Sequence, residues 1–306
     1  MSVNIHLLRM FATVVRVGSF SRAAEALHIS QPAISKGIRD FELQIGCRLL
    51  DRAPKGVRPT NEGLALMRHA DALFAIERAA EEEMQAFRGL ESGSLSIGAS
   101  TTIASYMIGR YLEIFHDAHP GIDLRVISAN TREVADLLIG HDIDVALVEG
   151  PVDEENLVTE PWRADSMELI TCPSHPLAAA KDPVEPEAIA NETLLLREPG
   201  SGSREVVTRV LADRNIKPRR TLEIGSTELI KQAVAAGLGV SIVSAVAVED
   251  HVALKRLQVI SLRDLKFQRS LGQLKLPGRI PAPAVAVFER LLAIAPENLI
   301  VVPPRN

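Results

Sequence analysis

The stretch "AAEALHISQPAISKGIRDFE" (residues 23–42) decides how the chain is read. Ala23, Ala24, Ala26 and Leu27 suit a short helix lying close against a neighbour. Beyond a short polar step, Ile34, Ile38, Phe41 and Ile45 recur at helical spacing and give a second helix one apolar face. Ser30 is the expected N-cap, and Pro32 sits in the first turn, where its missing N–H has no helical acceptor. The spacing predicts a helix over 31–45, stopped by Gly46. Two short helices joined by a tight turn form a helix-turn-helix. The face opposite the apolar stripe presents Gln31, Ser35 and Arg39, with Pro32 and Lys36 beside them. A glutamine amide can pair two-pronged with adenine and a lysine can donate to guanine, so this face suits a DNA major groove. The competing reading is a solvated helical hairpin, whose outer face is ordinarily richer in Glu and Lys.

Upstream, Leu7, Phe11 and Val14, flanked by Leu8 and Val15, predict a helix over 5–17 that ends at Gly18. Ser21 fits the N-cap of the short helix over 22–27. Downstream, "RLLDRAPKGVRPT" (48–60) reads as strand, turn and strand with Arg52, Lys55 and Arg58 near its tip. Such a wing sets cations against the phosphate backbone beside the groove, although an ordinary polar hairpin has the same pattern. Thr60 is a good N-cap with Glu62 in the first turn, and nothing breaks a helix from there to about Arg88. That rod is about 42 Å long at 1.5 Å per residue. Leu66, Ala70, Leu73, Ala80, Met84 and Phe87, with Ile76 alongside, form a seam along it. A long single-seam helix commonly pairs with a partner, and a seam packed on its own chain is the alternative. Gly89, Ser92 and Gly93 mark a hinge.

Charge divides along the same line. Residues 1–60 hold nine Lys or Arg against four acids, a net of +5 in a chain whose total is −5, so the remainder carries −10. A basic head on an acidic body points to a polyanion met by the head alone. The 306 residues, 46% hydrophobic and 24% charged, suffice for two or three globular units. There is no run of about eighteen apolar residues and no secretory pattern at the start, so no membrane partner and a cytoplasmic location are expected. Cys47 and Cys172 stand alone, which fits buried structural thiols better than a disulfide, with a redox pair as the alternative.

With these residues in view, the chain resembles the LysR-type transcriptional regulators. The matching residues are F11-A-T-V-V-x-x-G18-S19-F20-S21-x-A23-A24-x-x-L27, S30-Q31-P32-A33-I34-S35, G46-C-R-L-L-x-R52 and T60-x-x-G63. Pro59 and Lys55 depart mildly from the family pattern. The resemblance implies a winged helix-turn-helix over 1–60, a dimerising linker helix over 61–91 and a two-lobed, periplasmic-binding-protein-like α/β effector domain over 92–306. In that fold lobe I takes 92–163 and 269–306, lobe II takes 164–268, and the chain crosses near 163 and 268. DNA-binding residues carried over are Ser21, Ser30, Gln31, Pro32, Ser35, Lys36, Arg39, Arg52, Lys55 and Arg58. Expected partners are double-stranded promoter DNA, a small-molecule co-inducer, a homodimer extending to a homotetramer, and RNA polymerase.

The acidic body shows the β-α-β rhythm independently. "SLSIGAS" (94–100), "IDLRVIS" (122–128) and "DVALVEG" (144–150) alternate with helical segments, and a second set begins near 166. Ligands on open α/β sheets sit beyond the strand ends, where helix N-termini offer free N–H groups. Ser100, Thr101 and Thr102 occupy one such junction, and Gly200, Ser201, Gly202, Ser203 and Arg204 another. Glu149 ends a strand and Thr227 opens a helix, which completes a cleft suited to a small anion. Singly, each Ser or Thr is as readily a helix cap. The stretch R197-E-P-G-S-G-S-R204 resembles one in regulators of carbon-fixation and sulfur-assimilation operons. It lacks the Lys-Ser/Thr of a P-loop and the spacing of a dinucleotide fingerprint. "HDAH" (116–119) reads as surface rather than a metal site, and neither a cofactor nor a metal is expected. An enzyme lacks support, because the His residues are scattered with no nucleophile, base and acid spacing. An exported solute-binding protein would have no use for the basic head.

Overall fold

The computed structural model describes residues 3–53, 56–86 and 92–299, and the chain divides into two compact units, 1–81 and 82–306. In the first, α1 (Ile5–Val17) starts at Asn4, whose side chain accepts from the His6 and Leu7 amides, and ends at Gly18 in the left-handed region. α2 (Phe20–Ala26) is capped by Ser19, not by Ser21, which lies in the first turn. Only the Ser19 hydroxyl reaches the amide three residues on, that of Arg22, so the helix begins two residues earlier than the sequence suggests. α3 (Gln31–Ile45) runs from the Ser30 cap to Gly46, with Pro32 in its first turn.

Phe11, Val14, Ala23, Ile34, Ile38, Phe41 and Leu49 make the core of the three helices, with the Phe11 and Phe41 rings 6.2 Å apart. β1 (Leu50–Ala53) and β2 (Gly56–Pro59) pair antiparallel as the wing, Asp51 opposite Arg58. The Val57 amide donates to the Gly18 carbonyl, and a Cβ on Gly56 (φ +126°) would lie 2.4 Å from that oxygen. The wing is therefore pinned to the end of α1 by a contact that leaves no room for a side chain.

α4 (Asn61–Ala86) corrects the single-seam reading. Leu66, Ala70, Leu73 and Phe74 pack into the helix-turn-helix core of their own chain. Arg9 lies over the Phe74 ring and pairs with Glu77, and Arg16 pairs with Asp71. Only the later seam residues Ile76, Ala80 and Met84 stay exposed, and Phe87 lies outside the described residues.

In the second unit, β3 (Gly93–Ser100), α5 (Thr101–Tyr106), α6 (Gly109–Ala118), β4 (Ile122–Ala129), α7 (Thr131–Ile139) and β5 (Val145–Glu149) build one lobe. The long β6 (Val158–Thr171) leaves it. The other lobe holds β7 (Thr193–Leu196), α8 (Gly202–Asp213), β8 (Arg220–Glu223), α9 (Thr227–Ala235), β9 (Val240–Ser244), α10 (Glu249–Ala253) and β10 (Gln258–Ile260). β11 (Phe267–Lys275) returns to α11 (Pro283–Leu292) on the first lobe. The sheet order is β4-β3-β5-β11-β6-β9-β7-β8, with β10 also on β6. β3 pairs parallel with β4 and β5, and β7 with β8 and β9. β6 and β11 pair antiparallel with each other, Phe267 opposite Met167 and Lys275 opposite Val158, and with their lobe neighbours β9, β10 and β5.

Each lobe has its own core. Leu95, Ile97, Tyr111, Phe115 and Phe288 fill the first, and Leu194, Val207, Leu211, Val240 and Ile242 fill the second. Helices cover both faces, which is why β5 is buried at every position. Cys47 and Cys172 are free thiols, the first half-buried and the second buried.

Candidate DNA-reading face and effector cleft

Burial of Ile34, Ile38 and Phe41 turns the other side of α3 outward. Gln31, Pro32, Lys36 and Arg39 are exposed and Ser35 is half-buried. Gln31, Lys36 and Arg39 form no hydrogen bond or ion pair with a described residue, so their polar ends are available to a ligand. Ser30 spends its hydroxyl on the Ala33 amide, and Ser21 stands exposed at the start of α2. Arg58 is exposed on the wing, while the Arg52 side chain and all of Lys55 lie outside the described residues. Glu42, on the same helix, is structural. Its carboxylate accepts from the Leu49 and Leu50 amides and fixes the approach to the wing.

In the second unit the expected cleft residues do meet, around a carboxylate of the protein itself. Glu149 ends β5, and its Oε1 accepts from the Ser100 hydroxyl at 2.8 Å and the Thr102 amide at 2.9 Å. Its Oε2 accepts from the Ser203 hydroxyl at 2.7 Å and from Arg269 Nη1. Arg269 Nε donates to Asp165 at 2.6 Å, and Ser244 donates to the other oxygen of Asp165 at 2.8 Å. All seven residues are buried. Arg269 Nη2 is buried with no hydrogen-bond partner among the described residues. Burial is the largest influence on the Glu149 carboxyl and pushes its pKa up. Arg269 and the hydrogen bonds from Ser203, Ser100 and Thr102 together outweigh it and hold the pKa below the ordinary value.

A second cluster joins the lobes at Arg197, just after β7. Its guanidinium forks onto Glu198 (2.7 Å twice), reaches Thr227 Oγ1 at 3.0 Å and Thr101 Oγ1 across the cleft at 3.3 Å. Burial raises the Glu198 pKa, but the Arg197 hydrogen bonds and charge bring it below normal. Lys231 makes a third strap, donating to the Ala247 carbonyl at 2.8 Å and to the Tyr106 hydroxyl of the opposite lobe at 3.0 Å. It also pairs with Glu228 at 2.7 Å.

The glycine loop supplies closure rather than a ligand cradle. The Gly200 carbonyl accepts from the Arg132 amide at 3.1 Å, and a Cβ on Gly202 would stand 1.7 Å from the Glu149 carbonyl oxygen. Ser201 is buried at the start of α8 but makes no capping bond. Thr102, Ser203, Arg204 and Thr227 border an enclosed cavity of only about 10 Å³, room for one water.

Arg204 departs from the sequence expectation of a free anion anchor. Its Nη1 is held by the Arg197 carbonyl at 2.7 Å and by Glu223 at 2.9 Å. Sequence reasoning missed Arg197, Arg269, Asp165, Ser244, Lys231 and Tyr106. Arg197 adjoins the glycine loop and could have been found there. Arg269 lies 104 and 120 positions from its two carboxylates, so no local pattern marks it. His116 and His119 gather no third metal-type ligand among the described residues, and the His119 ring rests on Phe115 at 5.1 Å.

A helical reader on a wing and a two-lobed α/β receptor define a ligand-responsive DNA-binding protein. Residues 5–64 match the bacterial regulatory helix-turn-helix protein, lysR family, and residues 88–295 match the LysR substrate binding domain. CfxR of Cupriavidus necator, an HTH-type transcriptional regulator, is 38% identical over 243 residues, 79% of this chain and 76% of that one. The RuBisCO operon transcriptional regulator of Allochromatium vinosum is 31% identical over 292 residues, 95% and 96% of the two chains. The Synechocystis CcmR regulatory domain in complex with 2-PG superposes with a TM-score of 0.61 at 27% identity, over 66% of this chain and 96% of that one. The chain belongs to the LysR family of transcriptional regulators, which bind DNA through the helix-turn-helix and are not enzymes. Among the described residues no helix is long and apolar enough to cross a membrane.

Proposed function

We propose that this regulator reads promoter DNA with Gln31, Ser35, Lys36 and Arg39 in the major groove, with the Pro32 ring in apolar contact beside them, and steadies itself on phosphates through Ser21, Ser30, Arg52, Lys55 and Arg58. Residues 1–60 are the reader, 61–91 a dimerising linker, and 92–306 the effector domain, lobe I over 92–163 and 269–306 and lobe II over 164–268. The exposed stretch of α4 at Ile76 and Met84 supports pairing of two chains, which sets two readers on one duplex. Two such dimers make a tetramer, RNA polymerase is a further partner, and the protein works in the cytoplasm.

The effector is a small anion taken between the lobes by the hydroxyls and amides of Ser100, Thr101, Thr102, Ser203 and Thr227, at the junctions that Glu149 and the loop of Gly200, Ser201, Gly202 and Arg204 hold closed. One observation carries this reading. Hydroxyls and an amide from two separated segments converge, with a buried arginine from a third, on a single carboxylate position. The 2-PG held by the CcmR regulatory domain supports a small ligand in this fold. Operons of carbon metabolism are the favoured targets, in keeping with the A. vinosum relative.

The test is selection of duplexes from a random pool, then footprinting of the enriched sequence across a panel of small carboxylates. A protected site whose extent changes with one carboxylate is expected. No enrichment at low salt would overturn the DNA-reading assignment, and a footprint indifferent to every anion would overturn the cleft.

A further inference from the structure

We propose that Glu149 is a tethered stand-in for the effector's carboxylate, filling the anion seat in the closed lobe pair, so that an effector carboxylate enters by turning Glu149 out. The inference rests on the reading of the cleft as an effector site. Three observations carry it.

First, the seat has the donor pattern of a carboxylate. Oε1 takes the Ser100 hydroxyl and the Thr102 amide, and Oε2 takes the Ser203 hydroxyl and Arg269 Nη1. Two donors on each of two coplanar oxygens suit a carboxylate better than a tetrahedral phosphate, whose remaining oxygens would lie buried and unpaired.

Second, Arg269 does not need Glu149 for neutrality. Asp165 already pairs with its Nε and is itself held by Ser244. Glu149 is a second carboxylate on one guanidinium and leaves the buried group at a net charge of −1. Exchanging one carboxylate for another leaves that charge unchanged, whereas a neutral ligand would strip Arg269 Nη1 and Ser203 of an anionic acceptor. The seat therefore selects for anionic effectors.

Third, displacement is tied to the lobe contact. The space bordered by Thr102 and Ser203 is about 10 Å³, and the Gly202 backbone lies against the Glu149 carbonyl. Ser203 and Glu149 come from opposite lobes, so turning Glu149 out breaks a contact between them and links occupancy of the seat to the lobe angle. This is the differential contact that a two-state response to ligand requires.

The experiment uses the full-length protein with Glu149→Ala, and with Glu149→Gln as a variant that preserves volume. Acetate and formate are titrated against chloride and inorganic phosphate at matched ionic strength. Thermal unfolding reads binding, and small-angle scattering reads the lobe angle. Both variants are expected to bind acetate or formate at least tenfold more tightly than the wild type, and phosphate less well. Adding Ser203→Ala to Glu149→Ala should abolish the gain, and saturating acetate should return the variant's scattering profile to that of the wild type. Acetate affinity unchanged by either variant overturns the proposal. So does tighter binding that leaves the scattering profile unmoved, since Glu149 is then a structural anion with no part in lobe movement. In both cases a carboxylate that still shifts the wild-type footprint leaves the effector cleft standing, which separates the two failures.

Discussion

Gln31 shows how one side chain acquires a role from its neighbours. Ser30 caps the helix and Ile34 anchors it, so the Gln31 amide is held outward with its donors and acceptor unspent. Gln31→Ala is expected to weaken specific binding by about 1–3 kcal/mol and relax the preferred base, while binding to scrambled duplex hardly changes. Gel shifts on both duplexes check it, and equal loss on both contradicts base reading. Arg269 is the opposite case, wholly inward. Arg269→Met leaves Glu149 and Asp165 buried without a cation, and a loss of about 3–5 kcal/mol in urea unfolding is expected. Acid should act on the same group. The folded pKa of Glu149 lies below its ordinary value of 4.5, so its ionised form stabilises the fold above that pH. The contribution fades as pH falls through the folded pKa. Glu198 shifts the same way, and Glu228 does so chiefly through its hydrogen bond from Lys231. Stability of the effector domain is expected to hold from neutral pH to about 4.5 and then drop. Glu149→Gln should flatten that acid limb.

At the scale of elements, α4 is the instructive one. Its period was legible, but period alone does not say what covers a stripe. The helix-turn-helix core takes Leu66, Ala70, Leu73 and Phe74, and ion pairs from Arg9 and Arg16 fasten the helix over that core. The stripe that remains, Ile76 and Met84, is 62% and 60% exposed, which is costly for isolated chains and useful for paired ones. Ile76→Glu is expected to shift sedimentation from dimer toward monomer at micromolar concentration and to weaken binding to two-half-site duplexes. Binding to a single half-site should stay the same. A dimer undisturbed by the substitution would place the interface elsewhere. The start of α2 shows a smaller limit: the sequence pointed to Ser21 as the cap, and the packed backbone instead puts the Ser19 hydroxyl on the Arg22 amide.

For the whole molecule, the two units answer different questions and the lobes answer theirs jointly. Closure of the effector domain rests on Glu149 with Ser203, Arg197 with Thr101, Lys231 with Tyr106, and the Gly200 carbonyl with Arg132. Gly202→Ala places a methyl group into the Glu149 carbonyl without altering any polar group, so the lobes are expected to rest open. A larger radius of gyration with unchanged circular dichroism checks this, and an unchanged radius counts against closure through the glycine loop. The helix-turn-helix was legible because its signals are local: caps, a proline in a first turn, and apolar residues three and four apart. The β-α-β alternation and the hydroxyl-bearing junctions were legible for the same reason. The effector cleft's electrostatics were not. Arg269, Asp165 and Glu149 come from three strands that meet only when the sheet assembles, and Arg204, read as an anchor, is drawn away by Glu223. Sequence alone determined which segments become helices, strands and reader, because those choices depend on neighbours a few residues apart. Only the tertiary structure decided which charges neutralise one another, because Coulomb pairing in a buried site depends on distance in space, and the sequence does not carry that distance.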